Sequence, residues 1–371
     1  MQSEKQNLER RSVARVLISV SDKSAIEDFS NSLVKNGIEI VSTGGTSKIL
    51  SENGIAVTAV EDVTKFPEMM NGRVKTLHPL IFGGILARDS DKSETEQYDI
   101  GIIDMVVCNL YPFGDAVSKG VDMDALIEEI DIGGPSLLRA AAKNHARVAV
   151  VTDPLDYAWI SEEIEAGGLN LEQRRQLALK AFRHTAEYDT IIQNELSFRF
   201  DEEDLPSSLH IAGVGSPPLR YGENPHQSAI FYSDSSVQGP CVSNSTQIQG
   251  KQLSYNNLLD FDAALAIVLE FEEPTAVIVK HNNPCGASSA SNLSEAYELA
   301  VKTDPQSAFG GIVALNQEVD EDLSRSVISA FKEGIIAPSF TDAAIEVLSL
   351  IHISEPTRRT PISYAVFCLK K

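Results

Sequence analysis

Positive charge is scarce in this sequence. Against 53 Asp and Glu, its 371 residues carry 31 Lys and Arg, a formal net charge of -22. Such an excess repels polyanions over long range and argues against a nucleic-acid or anionic-membrane partner. Cysteine is also sparse: Cys108, Cys241, Cys285 and Cys368 stand far apart, with no CxxC pair or other metal-ligand spacing. Neither a zinc knuckle nor a small disulfide scaffold is suggested, and a reducing cytoplasm suits the chain. No uninterrupted apolar run approaches the roughly 18 residues of a membrane span. The opening MQSEKQNLERR is charged and has no apolar export core, so a soluble, unexported protein is expected. Internal repeats and low-complexity tracts are missing too. What is present is a globular hydrophobic content of 43% in a chain longer than one ordinary core, which predicts two domains. Any anionic ligand must be met by local cations.

Residues 15–20 predict a buried strand, and Ser21-Asp22 a cap for a helix with apolar positions Ile26, Phe29, Leu33 and Val34, ending at Gly37. Residues 38–41 predict the next strand, and 42–46 a turn into a helix that stops at Asn53-Gly54. Strand and helix alternating at short spacing imply a parallel sheet with right-handed crossovers. The pattern continues with a strand over 104–110, a helix starting at Gly133 with Pro135 in its first turn, and a strand over 148–151. A long amphipathic helix follows over 171–194, carrying Leu177, Leu179, Phe182 and Tyr188. The acidic run from Asp201 and the turn formers from Gly213 to Pro218 predict a domain boundary near 200–215. Beyond it, 249–257 reads as a polar loop and 261–271 as a helix. Residues 276–279 read as a short buried strand that delivers Lys280 and His281 at its carboxyl end, where ligands of open α/β sheets gather. From about Ser349 the composition changes: Arg358, Arg359, Lys370 and Lys371 face a single acid, Glu355. The run 362–369 resembles a translated sequencing adapter, so 349–371 is expected to be a non-native tail outside the fold.

Three clusters carry chemistry. Arg73 to Pro79 (RVKTLHP) sets two cations and a hydroxyl just after the turn-forming Met70 to Gly72, a combination suited to holding an anion; it also reads as a solvated basic turn. Ser19, Ser21 and the turn Thr43-Gly44-Gly45-Thr46 stand at strand-to-helix junctions, where free amides and the helix dipole favour a phosphate. Gly-Gly turns are more often plain connections. His78, before Pro79, reads as a packed or capping histidine, because nothing near it in sequence would orient it as a catalyst. Asn109, Tyr111 and Asp131 fall at strand or loop ends. Lys143 follows on a helix with Arg139 one turn earlier on the same face, an acid/base candidate or an exposed basic face.

Taken together, the strings SVSDK, STGGT, FPEMM, GRVKTLHP, NLYPF, IDIGG and AAKNH in the first half resemble the bifunctional AICAR formyltransferase/IMP cyclohydrolase family of purine biosynthesis. LRYGENPHQ, LSYNN, KHNNPCG, SAFGG and IIAPS in the second half carry the same resemblance, which covers about residues 12–348 in order. It implies an α/β protein of two parts. Residues 1–200 would form a methylglyoxal-synthase-like cyclohydrolase domain on a parallel sheet, and 201–348 the first part of a cytidine-deaminase-like formyltransferase domain. Formyl transfer from 10-formyltetrahydrofolate to AICAR would precede dehydrative closure of formyl-AICAR to IMP, in a cytoplasmic homodimer.

By the same resemblance, Ser19, Ser21, Thr43, Gly44, Gly45, Thr46, Arg73, Thr76 and Asn109 hold the nucleotide and its phosphate. Lys75, Tyr111, Asp131 and Lys143 surround the reacting ring, with Lys143 as the principal acid/base and no metal required. In the second domain His281 is the base, Lys280 assists it, and Arg220, Tyr221, Gly310 and Glu333 help bind substrate. A zinc deaminase would need a PCxxC, but Pro284-Cys285 has no second cysteine after it, and Cys285 reads as structural. Because the family's formyltransferase region continues past residue 348, the chain is expected to retain ring closure and lack formyl transfer. The competing class is a methylglyoxal-synthase-like nucleotide-sensing regulatory module, which would need the phosphate-binding turns but neither Lys143 with Asp131 nor the attached second domain. A methylglyoxal synthase is the competing enzyme.

Overall fold

Val16, Leu17 and Ile18 are fully buried in consecutive positions, as are Met105, Val106 and Val107. A strand shows that pattern only where both faces of its sheet are covered. The computed structural model describes residues 9–200, 208–234, 237 and 239–349, together with the backbone of a strand at 365–369. It divides into two units, Met1–Ala212 and Gly213–Lys371.

In the first unit, strands β1 (Arg15–Val20), β2 (Glu39–Ser42), β3 (Thr58–Ala59), β4 (Met105–Asn109) and β5 (Ala149–Val151) form one sheet in the order β3-β2-β1-β4-β5. All four pairings are parallel. The connections after β1 run outward through α1 (Ile26–Lys35) and α2 (Gly44–Glu52). The chain then crosses back by way of α3 (Pro79–Leu86) to β4, passes α4 (Phe113–Ser118), and runs outward the other way through α5 (Gly133–Lys143) to β5. Right-handed crossovers in opposite directions put α1 and α2 on one face and α5 on the other, which opens a crevice at the carboxyl ends of β1 and β4. Beyond β5, α6 (Tyr157–Glu165) packs on α1, and the 29-residue α7 (Leu171–Arg199) packs on α5 and β5.

The expected helix cap is not there. Helix α1 begins at Ile26 with Ala25 at its N-cap, φ 55°, and no side-chain cap. Asp22 instead accepts hydrogen bonds from the amide and hydroxyl of Ser24 at 2.9 and 2.6 Å, so residues 21–25 are loop. Val34 lies outside the buried stripe of α1, and Leu179 and Phe182 outside that of α7, while Leu177 and Tyr188 are buried. His78 caps α3, its Nδ1 accepting from the Leu80 amide at 3.2 Å. Arg147, buried at 8% exposure, donates to the carbonyls of Gly84, Ile85, Ala87 and Ile103 at 2.7–3.1 Å and lies 3.3 Å from Asp104. That one guanidinium ties the end of α3 to the start of β4.

The second unit has a mixed sheet. Its strands are β6 (Ser245–Gln249), β7 (Thr275–Lys280), β8 (Asn283–Ser289), β9 (Ile312–Leu315), β10 (Gly334–Ala337) and β11 (Ala365–Leu369), in the order β8-β7-β9-β10-β11-β6. The β9/β10 and β10/β11 pairs are parallel and the rest antiparallel. Strand β11 lies within the segment expected to stand outside the fold, yet its backbone is paired on both sides, between β10 and β6; an extended apolar run can complete a sheet wherever strand groups are left unpaired, whatever the composition around it. Helix α8 (Tyr255–Val268) starts earlier than the sequence predicts. The supposed polar loop contains the last residue of β6 and a capping box in which Ser254 and Asn257 satisfy each other's backbone amides. Both units are α/β. Among the described residues, no helix is long and apolar enough to cross a membrane.

Candidate functional site

A cleft of about 750 Å³ occupies the crevice at the carboxyl ends of β1, β2 and β4. Ser19 reaches it from β1 and Ser21 from the loop that follows, Thr43, Gly45 and Thr46 from the start of α2, and Arg73, Lys75 and Thr76 from the segment before α3. Asn109 and Tyr111 come from the end of β4, and Asp131, Gly133 and Gly134 from the start of α5. The first turns of two helices of nine and eleven residues therefore face one space. Helix α2 has no side-chain cap, leaving its leading amides for an anion.

Lys75 is held over glycine. Its amine lies 3.6 Å from Glu68, and a Cβ built on Gly72 would come within 2.5 Å of Lys75 Cε, one on Gly44 within 3.2 Å of Lys75 Nζ. Both glycines have positive φ, 91° and 45°, a backbone conformation that favours glycine, and the end of Lys75 rests in the space that a Cβ there would take. Arg73, by contrast, is an exposed rim residue paired with Glu128. Lys23 adds a third cation, its amine donating to the carbonyls of Val20 and Ser21 at 3.1 and 3.3 Å.

Asp131 accepts the Gly134 amide at 2.9 Å. Burial pushes its carboxyl above the ordinary range, opposed by the amides of Gly134 and Gly133 and by the charge of Lys75. A Cβ on Gly134 would lie 2.3 Å from Asp131 Oδ2, so the carboxylate fits only against glycine. Around the mouth, Leu77, Tyr111, Ile127 and Ile132 are exposed apolar or aromatic groups. The cleft thus joins an anion-holding floor to an apolar rim able to contact a flat ring, with a carboxylate and an amine between them.

Some of the expected ligands are already engaged by the protein. Asn109 Oδ1 accepts the amides of Ser21 and Asp22 at 2.6 and 2.8 Å, and its Nδ2 donates to Asp22 O at 3.0 Å, which shapes the β1–α1 loop. Thr46 Oγ1 bonds both backbone groups of Val20, accepting at 3.3 Å and donating at 3.1 Å. Ser19 and Thr43 hydroxyls stand 3.5 Å apart. Lys143 is not among the cleft residues: it is exposed at the last position of α5. At 1.5 Å per residue it lies about 15 Å along the axis from the cleft end of that helix. Its neighbours have scaffold roles. Asn144 donates to Ile85 O and Ala87 O at 2.7 and 3.0 Å, and the Arg139 guanidinium stacks over Phe182 at 5.8 Å. Glu68 and Lys23 lie inside the strings that carry the resemblance, yet nothing in the sequence pairs Glu68 with Lys75 or turns Lys23 inward.

In the second unit, Lys280 donates to Phe309 O at 2.7 Å, beside Gly310, φ 72°. His281 and Asn282 form the two-residue turn between β7 and β8 with φ of 54° and 63°. Asp260 accepts their amides at 3.3 and 2.6 Å. Glu333 accepts from Asn257 at 2.6 Å, and the Arg220 guanidinium stacks on Tyr221 at 4.8 Å. Arg220 and Tyr221 join the start of α8 through backbone bonds to Leu253 and Tyr255, each about 3 Å long at 2.8 and 3.2 Å. Among the described residues, no group of three or more His, Cys, Asp or Glu is placed to hold a metal ion.

Comparison with known proteins adds three findings. Residues 141–352 match the family described as AICARFT/IMPCHase bienzyme, and residues 25–136 match the MGS-like domain. The bifunctional purine biosynthesis protein PurH of Lysinibacillus sphaericus (strain C3-41) is 50% identical over 340 residues, 90% of this chain. The chain spans 66% of that relative's length. A solved structure titled "Crystal structure of ForH" shares 37% sequence identity over 48% of this chain and 95% of that one, but its TM-score of 0.44 is too low to carry an argument.

Proposed function

This chain belongs to the AICARFT/IMPCHase bienzyme family, and from that premise we propose that its first unit closes the purine ring of formyl-AICAR, with loss of water, to give IMP. The observation that carries the proposal is the juxtaposition of Lys75 and Asp131 in a cleft faced by two helix N-termini. The nucleotide phosphate sits against the amides of α2 with Ser19, Thr43 and Lys23, Arg73 leaves Glu128 to meet it, and the ring lies against the apolar rim. Asp131 takes a proton from the carboxamide nitrogen as that nitrogen bonds to the formyl carbon. Lys75 protonates the formyl oxygen to a hydroxyl, the proton taken up by Asp131 passes to that hydroxyl as it departs as water, and the formamido nitrogen gives its proton back to Lys75 as the ring C=N bond forms. Both reacting groups belong to one molecule, so holding them in the attacking geometry supplies much of the acceleration. Tyr111 and Thr76 orient the ring.

Purified chain mixed with formyl-AICAR tests this by the absorbance change of ring closure. IMP should form, and Asp131→Asn should slow turnover by about 100-fold or more. Saturable binding without IMP would make the unit a nucleotide sensor instead.

For the protein at the family's full length, the preceding step in this reading is formyl transfer from 10-formyltetrahydrofolate to the AICAR amine. His281 is the base and Lys280 assists, with Arg220, Tyr221, Gly310 and Glu333 at the substrate. These 371 residues alone are proposed to perform ring closure only, since they span 66% of the relative's length; folate-dependent formylation of AICAR by them would refute that. A cytoplasmic homodimer belongs to the same reading, and sedimentation velocity tests the assembly.

A further inference from the structure

Tyr188 lies on α7 and is not among the residues lining the cleft. Its hydroxyl nevertheless donates to Glu129 O at 3.0 Å and accepts the Asp131 amide at 2.8 Å. Both bonds go to backbone on either side of Ile130, so one phenol closes the turn that carries Ile130, Asp131 and Ile132 into the cleft. The ring is fixed in its turn: it is buried at 7% exposure, edge-on to Phe113 with centroids 6.4 Å apart and planes at 75°. Two residues beyond the pinned amide, the chain enters α5, whose Gly134 amide holds the Asp131 carboxylate. A rigid path therefore runs from α7 through a single hydroxyl to the carboxylate.

We propose that Tyr188 is a positioning residue for ring closure, holding Asp131 at the reacting nitrogen from a helix that does not itself line the site. The proposal rests on the reading of Asp131 as the base. The charged and titratable groups facing this pair are Glu129 and Asp189 at the phenol, and Lys75 and Cys108 at the carboxylate. Without the hydroxyl the turn loosens and the carboxylate gains water, which weakens the burial that raises its pKa.

The experiment compares wild type with Tyr188→Phe, which keeps the ring on Phe113. Expected are a loss in kcat of about tenfold, from misplacement of the base, and a KM for formyl-AICAR within about twofold. The acid limb of the pH–rate profile should move to lower pH, and the Asp131 amide should exchange faster with solvent deuterium. In an Asp131→Asn background the Tyr188→Phe change should cost nothing more. Wild-type kcat with an unmoved profile, or an equal further loss in the Asp131→Asn background, would overturn the proposal. Should Tyr188→Phe fail to fold, fluorinated tyrosine incorporated at 188 alters the two hydrogen bonds at nearly unchanged shape and gives the same readouts. If wild type itself forms no IMP, the reading of the cleft fails first, and an active wild type with an indifferent Tyr188→Phe fails only the positioning role.

Discussion

Gly72 decides where the amine of Lys75 can rest. At φ 91° and with Lys75 Cε only 2.5 Å from any added Cβ, Gly72→Ala both strains the backbone and evicts the amine. Cyclohydrolase kcat should fall by on the order of 10- to 100-fold while the unit stays folded, checked by turnover beside circular dichroism. Lys143→Ala should retain most turnover, because the residue stands at the far end of α5; a loss as deep as that of Asp131→Asn would return the acid/base role to Lys143. Asp131 also sets a pH dependence with opposite signs for rate and stability. Its raised pKa keeps the base protonated to a higher pH, so turnover should drop as pH falls through a value above the ordinary carboxylate range, and Asp131→Asn should abolish that limb. For stability, an acid raised on folding favours the folded state below its unfolded pKa, and that contribution is lost as pH rises through the folded value.

At the scale of elements, most of the first sheet was legible because its strands are continuous apolar runs separated by glycine stops and helices, the pattern of a parallel sheet covered on both faces. The start of α8 was not, since Ser254 and Asn257 look like loop residues until they are seen capping each other. The start of α1 was equally opaque, because Asn109, 88 residues from Ser21, takes the amides of Ser21 and Asp22 and holds the segment before the helix as a loop, whereas its end just before Gly37 was legible. The β7–β8 turn shows how local preference yields to a site. Two-residue hairpins favour Asn-Gly with both φ positive, yet His281-Asn282 occupies that conformation, with Asp260 accepting both amides. A left-handed L residue costs roughly 1–2 kcal/mol, and glycine's freedom in the unfolded chain offsets about 0.5–1. His281→Gly should therefore stabilise the second unit by about 0.5 kcal/mol, read from its urea midpoint. A loss of stability would mean that the imidazole itself contributes to packing. Strain kept at a proposed catalytic histidine is what such a site tolerates for function.

Across the whole molecule, an acidic chain gathers Lys23, Arg73 and Lys75 around one cleft, so an anionic ligand is met locally against an unfavourable long-range field. That grouping was readable as motif content but not as geometry: the resemblance placed Lys143 with Asp131, whereas the helix between them sets them at opposite ends. Each unit also has its own core, and each contains a natural reporter. Cys108 is buried in β4 of the first unit, whereas Cys241 and Cys285 are half-buried in the second, and burial pushes both the Cys108 and the Cys285 thiols up. Labelling of Cys108 by a thiol reagent requires opening of the first sheet. IMP at about 100 times its Kd stabilises the form that binds it by about 2.7 kcal/mol. Cys108 labelling should accordingly slow by about 100-fold with IMP, followed peptide by peptide in a mass spectrometer, while Cys241 and Cys285 keep their rates. Equal protection of Cys285 would place the nucleotide's stabilising effect beyond the first unit, and unchanged labelling of Cys108 would remove the nucleotide from this cleft.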